Sequence, residues 1–121
     1  MSSIKSYEDL LVYQKAYTIS LEINTLVRRN YPIEEKYLLS DQTIRASRSI
    51  PSNIAEGWSK RKYKNVFIKH LVDADGSCNE IKVWLDYAKD LKYIDNDQWE
   101  KHVKSYIEIG KMLNGVISKW K

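Results

Sequence analysis

The chain has 121 residues, 43% hydrophobic and 30% charged, with 4 Gly, 2 Pro and 9 Tyr; that is one domain's length, too apolar for a disordered tail and too poor in Gly and Cys for a collagen-like or disulfide-stapled chain. Its formal charge of +4 is unevenly placed: residues 42–72 carry +6 and residues 101–121 carry +4, against −1 for residues 1–41 and −5 for residues 73–100. No apolar run approaches the roughly 20 residues that span a bilayer, the first six residues lack a secretory apolar stretch and the one cysteine, Cys78, cannot bridge internally, so a cytoplasmic domain with no membrane association is expected.

Helical spacing dominates the chain, and the period-two alternation of half-buried strands persists nowhere. Ser6 followed by Asp9 reads as an N-cap with an acid at N3. It opens a first helix over about 7–30, with Val12, Ala16, Ile19, Ile23 and Leu26 on one face and Leu10, Tyr13, Tyr17 and Val27 beside them. Pro32 disfavours helical geometry at the residue before it and ends this pattern. A second helix over about 33–57 carries Leu38, Leu39, Ile44, Ala46, Ile50, Ile54 and Ala55. Pro51 lies inside it, at a cost of about 3 kcal/mol or more. Either two helices meet there or one helix kinks. The apolar phase runs through without a break and favours the kink, with Ser47 and Ser49 placed to satisfy freed carbonyls. Gly57 suits a left-handed residue at the helix C-terminus.

A short basic linker, Trp58 to Lys62, leads to a third helix over about 62–91. Its heptad is the cleanest in the chain: Phe67, Leu71, Ala74, Cys78, Ile81, Leu85 and Ala88, flanked by Trp84, Tyr87 and Leu91. Asp95 with Gln98 forms a second capping pair and opens a fourth helix over about 96–120, carrying Trp99, Val103, Tyr106, Gly110, Leu113, Ile117 and Trp120. The pattern predicts an all-α fold, an antiparallel up-down-up-down four-helix bundle in a single domain, 1–121. Aromatic rings recur on the helix flanks: Tyr13, Tyr17, Tyr63, Trp84, Tyr87, Trp99, Tyr106 and Trp120. They are either half-exposed rings at the edge of a thin core or a subunit interface, which would make the protein a homo-oligomer.

Catalytic signatures are weak. The glycines stand alone at 57, 76, 110 and 115 and build no phosphate-cradling loop. Neither His70 nor His102 has a glutamate three residues before it, as a di-iron bundle would require, so both read as surface residues. Cys78 falls on the apolar seam and reads as a small buried hydrophobe. No catalytic residue, metal or cofactor is expected.

Gln42, Arg45, Ser49, Asn53 and Glu56 recur every three or four residues as a polar stripe on the second helix. Asp73, Ser77 and Glu80 make a comparable stripe on the third, with Gly76 allowing close approach. Facing stripes would form a charge-assisted network that fixes helix register; the alternative is a polar ligand-binding groove. Within this region Gln42, Arg45-Ala46, Ser49-Ile50-Pro51, Asn53-Ile54-Ala55-Glu56-Gly57, Gly76-Ser77 and Glu80 resemble the four-helix proteins encoded in intervening sequences of bacterial 23S rRNA genes, also called the S23 ribosomal protein family. The resemblance covers nearly the whole chain, and polar Asn79 departs from it where the family usually carries an apolar residue. It implies an antiparallel bundle assembled as a ring, expected to be a homopentamer. It also implies a likeness in architecture to accessory proteins of diversity-generating retroelements, which bind a reverse transcriptase and nucleic acid. No catalytic residue carries over.

The residues themselves support two readings. In the first, the acid-free stretch from Gly57 to Val72 engages RNA or DNA phosphates through Lys60, Arg61, Lys62, Lys64 and Lys69, with Trp58 and Tyr63 stacking on exposed bases. In the second, the ring is a scaffold that recruits a protein partner such as a reverse transcriptase.

Overall fold

In a computed structural model that describes residues 3–121, the chain is all-α, and no strand occurs among the described residues. Four helices form: α1 (Leu11–Asn30), α2 (Leu39–Ser59), α3 (Lys64–Asp90) and α4 (Asn96–Trp120). Successive helices pack antiparallel and side by side, and α4 returns to α1 by a thinner contact. Two part-exposed ion pairs bridge that last seam, Lys15–Glu108 at 3.2 Å and Lys101–Glu22 at 3.4 Å.

The predicted heptad of the third helix is its buried set: Phe67, Leu71, Ala74, Cys78, Ile81, Leu85 and Ala88. Val12, Ala16, Ile19, Ile23 and Leu26 face them from α1, and Ala46, Ile50 and Ile54 from α2. Three hydroxyl residues sit in the core as well, Ser20, Thr43 and Ser47. Each donates to a carbonyl of its own helix, at Tyr17, Leu39 and Ile44, whereas the buried hydroxyls of Tyr31 and Tyr106 have no partner among the described residues.

Several boundaries differ from the sequence expectation. The Ser6/Asp9 capping box forms, but it caps a single 3-10 turn at Tyr7–Asp9; Leu10 is extended at ψ 124° and α1 starts after it. Pro32 is followed by another 3-10 turn, Ile33–Glu35, so α2 begins at Leu39 and Leu38 is exposed rather than core. The helix continues unbroken through Pro51. Pro51 has no N–H for the Ser47 carbonyl, and the Ser47 and Ser49 hydroxyls instead serve the carbonyls of Ile44 and Ala46.

Gly57 is not a left-handed terminus: α2 runs two residues past it, and no glycine has positive φ. It is small because α3 crosses there, and a Cβ at this position would lie 2.7 Å from the Cβ of His70. Gly76, expected to permit close approach, faces open space. The fourth helix matches its expected range, and the Asp95/Gln98 box closes in both directions at 2.8 and 2.9 Å. Its buried set is His102, Tyr106, Ile109, Leu113 and Ile117. His102 is therefore core rather than surface: it stands four residues before Tyr106, on the inward face, while Trp99 and Val103 are only half-buried.

Candidate nucleic-acid interface

The residues between α2 and α3 form a tight, exposed turn. Lys60 N–H donates to the Gly57 carbonyl at 3.0 Å, Arg61 N–H to Trp58 at 3.2 Å and Tyr63 N–H to Lys60 at 2.9 Å. All side chains from Ser59 to Val66 are exposed. The packing beneath is aromatic: Phe67 is fully buried with its ring edge-on to Trp120 at 4.8 Å and to Trp58 at 5.9 Å. Trp120 brings the end of α4, with Lys119 and Lys121, to the same end of the bundle.

The five candidate cations differ in how they are held. Lys60 pairs with Glu56 at 3.3 Å and Lys69 with Asp73 at 3.1 Å, each one turn away on its own helix. Exposed pairs of this kind contribute little and release their lysine cheaply. Arg61 lies over the Trp58 ring at 4.2 Å and donates Nη1–H to the Trp58 carbonyl at 2.9 Å. Lys62 stands over Tyr63 at 5.7 Å. Lys62 and Lys64 have no carboxylate partner among the described residues. The first turn of α3 contains no acid and Tyr63 offers it no side-chain cap, so its positive end adds to the field of the lysines. The aromatic pair divides: Trp58 belongs to the last turn of α2 and is half-buried under Arg61, whereas Tyr63 is exposed.

The polar stripes meet at two points. Ser49 Oγ lies 2.6 Å from Ser77 Oγ, and Asn53 Oδ1 lies 3.1 Å from His70 Nδ1, a partner not visible in the stripe pattern. The Asn53 amide also donates to the Ser49 carbonyl at 2.9 Å, tying the two cross-links together. The remaining members bond locally. Arg45 pairs with Asp41, Glu56 with Lys60 and Asp73 with Lys69, while Glu80 accepts from Trp84 Nε1 at 3.1 Å. Gln42 is exposed. The shared surface is thus narrow and uncharged, set by the hydroxyl and amide residues whose short side chains fit between closely packed helices.

Elsewhere the chemistry is quiet. Burial, then the nearby Asp75, push the Cys78 thiol up to about 12, opposed by Lys82, so it stays protonated and a poor nucleophile. Burial, then Lys101, lower the pKa of His102 from its ordinary value against the pull of Glu22. No group of three His, Cys, Asp or Glu side chains among the described residues is placed to hold a metal ion. No helix among the described residues is long and apolar enough to cross a membrane.

A family model described as 23S rRNA-intervening sequence protein matches residues 8–115. The chain belongs to this family. A solved structure of a protein of unknown function from the S23 ribosomal protein family of Bacteroides thetaiotaomicron is similar, with 27% identity and a TM-score of 0.80 over 88% of this chain and 98% of that one. No curated protein matches. Family membership accounts for the helical frame, but it assigns no activity to the basic turn.

Proposed function

We propose that this intervening-sequence protein is a non-catalytic, self-associating module that binds nucleic acid phosphates through the α2–α3 turn. The observation that carries the reading is the clustering of Lys60, Arg61, Lys62 and Lys64, all exposed, with Lys119 and Lys121 arriving from α4 at the same end of the bundle. Such a cluster attracts a polyanion and gains by releasing its counterions. Self-association multiplies it. Tyr17 and Leu21 on α1 and Val83 and Tyr87 on α3 are exposed, and these helices lie diagonally across the bundle. Two unlike apolar strips on opposite sides suit head-to-tail contacts, which build a ring when the rotation between copies closes. The family resemblance points to five copies, and a ring would raise avidity without new contacts.

The test is RNA affinity measured against salt between about 50 and 200 mM, where log affinity falls linearly with log salt if phosphates are bound. A Lys60/Arg61/Lys62/Lys64→Glu variant is expected to lose binding while keeping its helical circular dichroism and melting temperature. A flat salt plot sinks the reading. Light scattering reads the assembly separately, and a lone protomer at high concentration removes the ring.

A second reading, a scaffold for a protein partner such as a reverse transcriptase, draws on the far end of the bundle. Ile33, Tyr37 and Leu38 there are exposed at 75%, 81% and 64%. Partner binding that survives the charge reversal but fails on Tyr37→Ser favours that reading.

A further inference from the structure

We infer that the α2–α3 turn selects unpaired over duplex nucleic acid, with Tyr63 as a stacking platform set between phosphate-binding lysines. This rests on the phosphate-binding reading above and adds a substrate class to it. The inference starts from the contrast between the two aromatic residues of the turn. Trp58 is committed to the fold: it packs on Phe67 and Trp120, carries Arg61 on its face, and buries its Nε1 without a partner among the described residues. Tyr63 has no such duty. It is 63% exposed and makes no aromatic contact or side-chain hydrogen bond among the described residues; the one group over its ring is the ammonium of Lys62.

A large exposed ring that lies outside the hydrophobic core does little for the fold, and its neighbours define what it would meet. Lys62 and Lys64, the residues on either side in sequence, lack carboxylate partners among the described residues and can each take a phosphate. The ring between them then faces the base of the nucleotide whose backbone those lysines hold. Base faces are accessible only in unpaired strands, because a duplex hides them in its own stack and leaves phosphates and groove edges to be read. The lysines therefore serve both substrates, and the tyrosine serves one.

The experiment is fluorescence anisotropy on the full chain, using end-labelled oligonucleotides of about 12 nucleotides, a length within the range of single-strand sites. The probes are an oligo-U strand, an oligo-dT strand and hairpin duplexes of RNA and DNA. The native protein is expected to bind the unpaired strands more tightly than the duplexes, and Tyr63→Ala to weaken unpaired binding about tenfold, the scale of one lost stacked base. Tyr63→Ala should leave duplex affinity and the salt slope unchanged, whereas Tyr63→Phe should keep the preference, since the ring does the stacking. The exposure of Tyr63 makes all three proteins foldable, and their melting curves check it. Equal affinity for strand and duplex, or a preference that survives Tyr63→Ala, overturns the inference and leaves phosphate binding standing. Absence of binding to every probe at low salt overturns both.

Discussion

Where α3 turns into α4, the chain spends its polar groups on closing the bundle. Tyr93 N–H donates to the Ala88 carbonyl and Lys92 N–H to Lys89, at 2.8 and 2.9 Å, the paired bonds of a Schellman motif. Tyr93 Oη–H donates to Glu35 at 2.8 Å, Ile94 is buried, and Asp95 with Gln98 caps the next helix. Where α2 turns into α3, the backbone reverses as tightly, yet the side chains are left in water: Lys60, Arg61, Lys62, Tyr63 and Lys64 are all exposed, and the helix that follows has no side-chain cap. One end is built for closure; the other holds a rigid backbone and leaves cations and a ring free to meet something else. Functional groups concentrate on such turns because a packed scaffold positions them without occupying them.

The rigidity of the open end is testable at Gly57, where the largest effect is expected. A helix-interior alanine is favoured over glycine by about 1 kcal/mol. Here the added methyl group would meet His70 Cβ at 2.7 Å and Phe67 Cδ1 at 3.2 Å. Forcing α2 and α3 apart also strains the Asn53–His70 contact, and overpacking of this kind costs about 1–3 kcal/mol. Gly57→Ala should therefore lower the unfolding free energy in urea titrations by up to about 2 kcal/mol net. Gly115→Ala, which faces open space within α4, should raise it by up to about 1 kcal/mol. Equal signs for the two would show that crossing distance at the open end does not matter.

The closed end yields a smaller effect of opposite kind. Lys92 has φ 65°, the one positive-φ non-glycine among the described residues, at the position after the α3 cap where glycine is usual. A side chain in the left-handed region costs about 1–2 kcal/mol, and glycine's greater freedom in the unfolded chain returns part of that. Lys92→Gly is expected to stabilise by about 0.5–1 kcal/mol, read as a rise in the urea midpoint at constant slope. It should leave the proposed nucleic-acid binding at the opposite end unchanged.

These two positions also mark what the sequence reveals. Heptads such as Phe67 to Ala88 were legible because each buried residue recurs on one face, and Asp95 with Gln98 because a cap is a local pattern. Gly57 and Lys92 were not. Glycine at 57 reads as a helix stop until the crossing of His70 is known, and nothing in the sequence marks a lysine as left-handed. In the polar stripes, the periodicity of Ser49 and Asn53 was visible, but helical spacing alone cannot say which members reach across and which fold back one turn. The basic turn was visible as composition; the division between a committed Trp58 and an open Tyr63 depends on where Phe67 and Trp120 lie.

His102 provides the finest comparison, because it sits in the thin α1–α4 seam towards the closed end, in a cleft lined by Glu22, Arg29, Asn30, Gln98 and Lys101. Burial, then Lys101, hold its folded pKa below the ordinary imidazole value near 6.5, and Glu22 opposes them. The unfolded chain therefore binds this proton more readily than the folded one. Stability from this residue is fully present above about pH 6.5 and is lost as pH falls from there through the folded pKa. The melting temperature should decline as pH is lowered from about 7 to 5.5, a range above the usual carboxylate values. His102→Gln should flatten that decline while lowering the plateau only slightly. A slope that persists in the variant assigns the proton elsewhere. A slope that rises towards acid reverses the sign and means that Glu22, not burial, dominates the seam.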